Sequence, residues 1–159
     1  LGAGMKVVYT DNHATAESIE LEVGGNPVRV GIKLVTLDEL LSSSDAISLH
    51  VPTQANGKAV LGAEELKRVK PGVYIVNTAR GGSVDEDALL EALNDGRVKA
   101  AALDVFTNEP TPREDLLRHP RISLSPHIGA ATAEAQGRVG DELCELIIAF
   151  RDSVAAAKA

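Results

Sequence analysis

A buried strand followed by a tight turn and a helix is the feature that most constrains this chain. The run VYIVN at 73–77 is short, apolar and rich in β-branched residues, and the pairs at 71–72 and 81–82 bound it with glycine. Such a run is typical of a strand covered on both faces. The helix is expected to begin after Asp85, a good N-cap, and to end at Gly96. A strand covered on both faces needs a helical layer on each side, so the stretch favours an α/β fold.

Strand and helix patterns alternate along most of the remaining chain. Further strands are predicted at 5–10, 31–35, 45–51, 99–105 and 121–125. Helices are predicted at 37–43, 63–69 and about 114–118, with a long helix from Thr132 to about Val154. Thr36 and Glu39 have the spacing of a capping box. The alternation predicts right-handed βαβ crossovers and a doubly wound, Rossmann-type parallel sheet.

Two segments break the alternation. Residues 12–20 are interpreted as a short helix, and IELEVGGNPVRV at 19–30 as a β-hairpin around Gly-Gly-Asn-Pro. The long helix carries apolar residues at helical spacing, so its stripe belongs either to the core or to a subunit contact. Its single cysteine, Cys144, is expected to be a small core residue.

Composition excludes several classes of function. The chain is 44% hydrophobic and 25% charged over 159 residues, which is typical of one globular domain. Its net charge of −7 without a basic patch argues against nucleic acid and anionic membranes, and no apolar run is long enough to span a bilayer. One cysteine excludes an internal disulfide and a cysteine-rich metal site, and indicates a reducing compartment such as the cytoplasm.

Candidate functional residues follow predicted strands. Arg80 lies just past the strand at 73–77, and ligands of open α/β sheets bind at the carboxyl ends of strands. An arginine there can hold a carboxylate by two parallel hydrogen bonds, or be a surface residue paired with an acid. Asp11, after the strand at 5–10, can accept hydrogen bonds from ribose hydroxyls, or be a turn aspartate. His50 ends another strand at the same edge.

Arg80, Glu109 and His127 are expected to meet at this edge, together with Asp104 and His50. A histidine can exchange a proton near neutral pH, and a neighbouring glutamate stabilises its protonated form. An arginine can bind a carboxylate and polarise an adjacent carbonyl. Hydride transfer on a 2-hydroxy acid needs these groups. The alternative is that the histidine after Pro126 is structural and that Glu109-Pro110 is an ordinary turn.

Four motifs, in order, carry a family resemblance. The segments SLHVP, NTARGGSVDEDAL, LDVFTNEP and SPHIGAATAEAQ resemble the D-isomer-specific 2-hydroxyacid dehydrogenases, and most closely their D-3-phosphoglycerate dehydrogenase branch. The resemblance covers nearly the whole chain except the hairpin. It implies an NAD-dependent oxidoreductase acting on a small 2-hydroxy or 2-oxo acid, and a homodimer built partly by the long helix.

The resemblance also implies roles for individual residues. Arg80 would orient the substrate carboxylate and carbonyl, Glu109 would support the histidine, and His127 would be the acid/base. Asp11 would hold the adenosine ribose and favour NAD over NADP, and Asp104 would bind the nicotinamide amide. The implied cofactor contacts are Asp11, His50, Val51, Pro52, Thr78, Ala79, Arg80, Asp104, His127, Gly129 and Ala130.

The chain departs from the family pattern in three places. No GxGxxG precedes Met5, so the first strand and the phosphate-binding glycines are missing from the nucleotide fold. The substrate domain and the closing segment are missing as well. We therefore expect residues 1–159 to be one partial NAD-binding domain, with 132–159 leading out of it, and a slot between the strands ending at Asp11 and Pro52. The hairpin at 19–30 is longer than the family pattern, and would be a surface element or a strand that fills the slot.

These departures leave three hypotheses for function. The parent protein would be an NAD-dependent dehydrogenase, while this chain alone would have little or no turnover. The chain would otherwise be a non-catalytic NAD-binding or dimerisation module, or an inactive truncated unit. The substrate is open among phosphoglycerate, glycerate or hydroxypyruvate, and lactate-type acids.

Overall fold

The computed structural model describes residues 4–129 and 131–156, and side chains as far as residue 153. It contains eight strands and five helices in the described ranges. In chain order they are β1 (Val8–Tyr9), β2 (Ser18–Val23), β3 (Asn26–Gly31), β4 (Lys33–Leu34), α1 (Leu37–Ser43), β5 (Ala46–Leu49), α2 (Ala63–Arg68), β6 (Val73–Asn77), α3 (Glu86–Asn94), β7 (Val98–Leu103), α4 (Glu114–Leu117), β8 (Ile122–Leu124) and α5 (Ala133–Ala156).

The principal sheet has four parallel strands in the order β5-β6-β7-β8. Helices α2, α3 and α4 connect successive strands, as parallel pairing requires. The strand–turn–helix unit around β6 agrees with the sequence prediction. Asp85 caps α3 by accepting a hydrogen bond from the Ala88 amide at 2.9 Å, and Gly96 follows the helix at φ 85°. The predicted α/β class with a parallel sheet is confirmed.

The core lies between this sheet and helices α1 to α4. Its largest fully buried side chains are aliphatic, because the chain has few aromatic residues. They are Leu41, Leu61, Leu66, Val73, Ile75, Leu89, Leu93, Val98 and Leu116.

Strands β1 and β4 form a separate parallel pair. Within the described residues no ladder joins this pair to β5, as expected from the predicted slot between the two groups of strands. β1 covers only two of the residues predicted at 5–10, and β4 two of those at 31–35. In the described structure each of these two strands pairs only with the other. The Thr36 hydroxyl caps α1 by accepting the Glu39 amide. The Glu39 carboxylate pairs with Lys33 at 2.7 Å. In the described structure it does not accept the Thr36 amide, which is the second hydrogen bond of a capping box.

The hairpin prediction is confirmed, whereas the helix predicted at 12–20 is wrong. Strands β2 and β3 pair in antiparallel register through Gly24 and Gly25, whose φ values are 58° and 77° as a type I′ turn requires. The Asp11 carboxylate accepts the amides of His13 and Ala14, which favours a turn at this point. In the described chain, β2 and β3 pair only with each other, so the hairpin is a surface element and does not fill the slot.

The apolar stripe of helix α5 is exposed in the part of the chain that the structure describes. Its side chains include Leu146, 61% exposed, and Phe150, 70% exposed. Cys144 is exposed too, so the expectation of a core position for it is wrong. The stripe is therefore not part of the core described here, which leaves the subunit-contact interpretation. Among the described helices, none has the length and apolar character to cross a membrane.

Candidate active site

The carboxyl ends of the parallel strands bring the predicted residues to one edge of the fold. In the four-stranded sheet, His50 lies after β5, Arg80 after β6, Asp104 directly after β7 and His127 after β8. Asp11 lies after β1, in the separate β1-β4 pair. Parallel strands direct their carboxyl ends to the same side, and that side is where open α/β sheets bind ligands. His50, Arg80, Asp104 and His127 therefore follow strands that end at one edge of the four-stranded sheet.

Glu109 and His127 form a direct pair. The His127 Nδ1 atom lies 2.6 Å from Glu109 Oε2, and the other oxygen, Oε1, accepts the Phe106 amide at 2.8 Å. The hydrogen bond from His127, followed by that from Phe106, holds the pKa of the Glu109 carboxyl below its ordinary value. Glu109 is thus kept ionised, fixes the orientation of the imidazole ring through Nδ1, and leaves Nε2 for a reacting proton.

The pH dependence of this pair follows from that direction. Because the folded state lowers the Glu109 pKa, the interaction is present above the ordinary glutamate pKa of about 4.3 and is lost as the pH falls through the folded value. We expect His127→Asn to move the Glu109 pKa upward toward that ordinary value. A carboxyl-selective ¹³C NMR titration measures this change. A Glu109 pKa that stays low in the variant would show that the Phe106 amide alone accounts for the lowering.

Asp104 holds the backbone next to His127. It is only 5% exposed, its Oδ1 accepts the Ser125 hydroxyl at 2.6 Å and the Ile128 amide at 3.1 Å, and its Oδ2 accepts the Gly129 amide at 3.1 Å. Burial by itself would raise the Asp104 pKa, but these three donors together keep it below the ordinary value. An ionised carboxylate has about four acceptor positions, so one remains for a ligand donor.

The loop that carries Arg80 is fixed by Asn77, a residue that sequence reasoning did not single out. The buried Asn77 side chain accepts the Ala79 amide and donates to the Arg80 carbonyl, both at 3.1 Å. The exposed Arg80 guanidinium donates to the Ala79 carbonyl at 2.6 Å. In the described residues no hydrogen bond or ion pair joins Arg80 to His127 or Glu109. The sequence signal that could have indicated a role for Asn77 is its place as a polar residue at the end of a mostly apolar strand.

Gly81 permits the close approach of two site loops. A Cβ atom at this position would lie 1.9 Å from the Phe106 carbonyl oxygen, in the loop that carries Glu109. We expect Gly81→Ala to destabilise the fold by about 1–3 kcal/mol, since one loop must move to accept the methyl group. Urea unfolding measures the loss. Gly137→Ala is the control, because a Cβ there meets no atom within 4 Å; equal effects at both positions would contradict the steric explanation.

Glu86 anchors the same loop from α3. Its Oε1 accepts the Thr107 amide at 2.8 Å. Sequence reasoning gave Glu86 only a favourable place in the first turn of the helix. The contact links residues far apart in the chain, and no local pattern contains that information.

The remaining predicted contacts follow β1, β5, β6 and β8. The Asp11 Oδ1 atom accepts two backbone amides, at 2.6 and 2.7 Å, so Oδ2 is the oxygen better placed for a ribose hydroxyl. His50 Nε2 lies 2.8 Å from Ser48 Oγ. Val51 is half-buried, Ala79 is buried, and Pro52, Thr78 and Gly129 are exposed. Ala130 lies outside the described residues. In the described chain, no hydrogen bond or ion pair joins Asp11 or His50 to Glu109 or His127.

A cavity of about 360 Å³ adjoins the Glu109–His127 pair. Its remaining lining is mostly apolar and comes from the loop after β7, from α4 and from the end of β8. These residues are Phe106, Pro110, Pro112, Leu117, Leu124, Ser125 and Pro126. No lysine or arginine lines this cavity, so its described walls offer no cation for a phosphate group.

Comparison with known proteins identifies the family. Residues 1–129 match the family model described as D-isomer specific 2-hydroxyacid dehydrogenase, NAD binding domain. The chain is 50% identical over 150 residues to hydroxypyruvate reductase from Thermotoga maritima, covering 92% of this chain and 45% of that protein. It is 45% identical over 119 residues to D-3-phosphoglycerate dehydrogenase from Mycobacterium bovis, covering 75% of this chain and 22% of that protein.

A solved structure agrees with these sequence matches. D-lactate dehydrogenase from Aquifex aeolicus, in complex with NAD and lactic acid, superposes with a TM-score of 0.72 at 29% identity, covering 96% of this chain and 48% of that one. The chain thus spans less than half the length of these relatives. The predicted cofactor, NAD, is confirmed by the family match. The chain belongs to the D-isomer specific 2-hydroxyacid dehydrogenases, and residues 1–129 match their NAD-binding domain.

Proposed function

We propose that this chain is the cofactor-binding part of a dehydrogenase that oxidises the CH–OH group of a D-2-hydroxy acid, with His127 as the acid/base. The observation that carries the proposal is the 2.6 Å contact between His127 Nδ1 and the ionised Glu109 carboxylate, at the edge where strands end. A histidine held in this way has one nitrogen fixed and the other directed to a reacting proton.

Each residue has a part in the reaction. Arg80 binds the substrate carboxylate and polarises the neighbouring carbonyl as a 2-oxo acid forms. His127 takes the hydroxyl proton at Nε2, and Glu109 stabilises the resulting imidazolium. NAD, when bound, would supply the acceptor for the hydride that leaves the hydroxyl-bearing carbon. In the reverse direction His127 returns the proton to the carbonyl oxygen.

The residues along the edge fit a dinucleotide. Asp11 offers Oδ2 to the adenosine ribose, and its charge would repel the 2′-phosphate of NADP. Asp104 offers its remaining acceptor position to the nicotinamide amide. The other proposed contacts come from His50, Val51, Pro52, Thr78, Ala79, Arg80, His127 and Gly129, and from Ala130, which lies outside the described residues.

The substrate proposed first is of the 3-phosphoglycerate type. The 45% identity to a D-3-phosphoglycerate dehydrogenase supports it, while the 50% identity to a hydroxypyruvate reductase supports a smaller acid. The described cavity next to His127 has no lysine or arginine in its walls. A phosphate group would therefore need a cation from elsewhere in the protein. Comparing kcat/KM for 3-phosphoglycerate, glycerate and lactate in the complete enzyme separates the candidates.

Cofactor binding by the chain itself is the direct test. The chain has no tryptophan, so nicotinamide emission of NADH can be followed without interference. We expect saturable binding that Asp11→Ala weakens about tenfold or more, since hydrogen bonds to a charged acceptor contribute about 1.5–3 kcal/mol. Asp141→Ala on α5 is the control, because it removes the same charge from an exposed site away from the edge. Equal affinity of both variants would contradict the role given to Asp11.

The assembly and location are proposed on separate grounds. The exposed apolar side chains of α5 fit a homodimer contact, which sedimentation velocity measures directly. A reducing, cytoplasmic location is proposed from the single cysteine. Because the net charge is acidic, we propose no nucleic-acid partner and no membrane partner.

A further inference from the structure

Ser125 takes no part in the chemistry above, yet it contacts the residue that holds the His127 turn. Its hydroxyl donates to Asp104 Oδ1 at 2.6 Å, and its amide donates to the Leu103 carbonyl at 3.0 Å. These two contacts fix Ser125 between the ends of β7 and β8. The short hydroxyl bond to a buried carboxylate is of the charge-assisted kind.

The Asp104 carboxylate in turn binds the amides of the two residues that follow His127. The Ile128 amide donates to Oδ1 and the Gly129 amide to Oδ2, both at 3.1 Å. A Cβ at Gly129 would lie 3.2 Å from Asp104 Oδ2, so the turn sits closely on the carboxylate.

His127 itself has an unusual backbone. Among the described residues it is the one non-glycine residue with positive φ, at 54°. That conformation is unfavourable for a side chain with a Cβ and persists only where the surroundings hold it. The amides of the two following residues are the groups that Asp104 holds, so the strained turn and the carboxylate form one unit.

We propose that Ser125 is a positioning residue for His127: its hydroxyl orients the Asp104 carboxylate so that the Ile128 and Gly129 amides bind it, and this holds His127 in the left-handed conformation that places Nδ1 against Glu109. The inference rests on the proposed role of His127, and it assigns to Ser125 a function that its side chain exerts only through Asp104. A serine or threonine hydroxyl suffices for it, whereas alanine leaves Asp104 without its closest donor.

The test is an NMR titration of the 159-residue chain, which needs neither cofactor nor turnover. In Ser125→Ala we expect the Glu109 pKa to rise toward its ordinary value of about 4.3, because the His127 contact loosens. Amide exchange at Ile128 and Gly129 should become about tenfold faster, as for loss of one hydrogen bond. Ser125→Thr should retain both wild-type values. Ser123→Ala, two residues earlier at an exposed position of β8, should leave both unchanged.

An unchanged Glu109 pKa in a folded Ser125→Ala variant overturns the proposal, because a purely local packing role would not reach Glu109. If that variant does not fold, Ser125→Cys decides, since a thiol of similar size is only a weak donor. A wild-type Glu109 pKa in Ser125→Cys then overturns the proposal, and a raised one supports it. A complete enzyme without dehydrogenase activity would contradict the proposed function while leaving this titration unaffected, so the two failures are distinguishable.

Discussion

Replacing His127 by asparagine is expected to lower kcat by about 10²–10⁴-fold, the usual contribution of general acid–base catalysis. Asparagine tolerates the left-handed backbone at φ 54° but cannot transfer a proton, so the turn is retained and the chemistry is removed. The assay uses a chimera in which this chain replaces the matching segment of the Thermotoga maritima hydroxypyruvate reductase, 45% of which it covers. The isolated chain is measured beside it, and we expect little or no turnover there.

The matched control is His119→Gln. His119 precedes β8, at the opposite end of the strand from His127, and its Nδ1 accepts the Arg121 amide at 3.2 Å. We expect kcat within about twofold of wild type for this variant, since surface changes of this kind cost little. A His127→Asn chimera that retains wild-type kcat would contradict the acid/base assignment. A similar loss in both variants would point to general destabilisation.

Replacing Leu89 by alanine is expected to reduce the free energy of unfolding by about 2–5 kcal/mol, because the side chain is fully buried and its removal leaves a cavity. Leu89 lies on α3, the helix that follows the Arg80 loop and carries the Glu86 anchor. The same substitution should therefore also weaken the attachment of the Glu109 loop. Urea denaturation followed by circular dichroism measures the unfolding free energy.

Leu117→Ala is the control for this prediction. Leu117 also lies on a helix, α4, but it is 46% exposed, so its truncation should change the unfolding free energy by about 0.5 kcal/mol or less. Equal losses at the two positions would mean that α4 is packed as tightly as α3, contrary to the observed burial.

Local patterns predicted most of the sheet and its helices. The β-branched run of β6, the Asp85 cap and Gly96 are signals within a few residues of one another, and the fold uses each as expected. The helix predicted at 12–20 is absent because residues 18–20 belong to β2 and pair with β3, and that pairing decides the structure of the segment. The core position expected for Cys144 is wrong because a helical stripe records which face is apolar, and does not record what covers it.

The candidate site divides in the same way. The sequence by itself determined which strands end at the common edge and which reactive residues follow them, because parallel connection fixes the direction of every strand in the four-stranded sheet. Only the tertiary structure decided that Glu109 contacts His127 Nδ1, that Asp104 binds the Ile128 and Gly129 amides, and that Asn77 holds the Arg80 loop. Hydrogen bonds depend on distances of a few ångströms between loops. Tertiary packing, such as that of Gly81 against Phe106, sets those distances. Residue spacing along the chain does not set them.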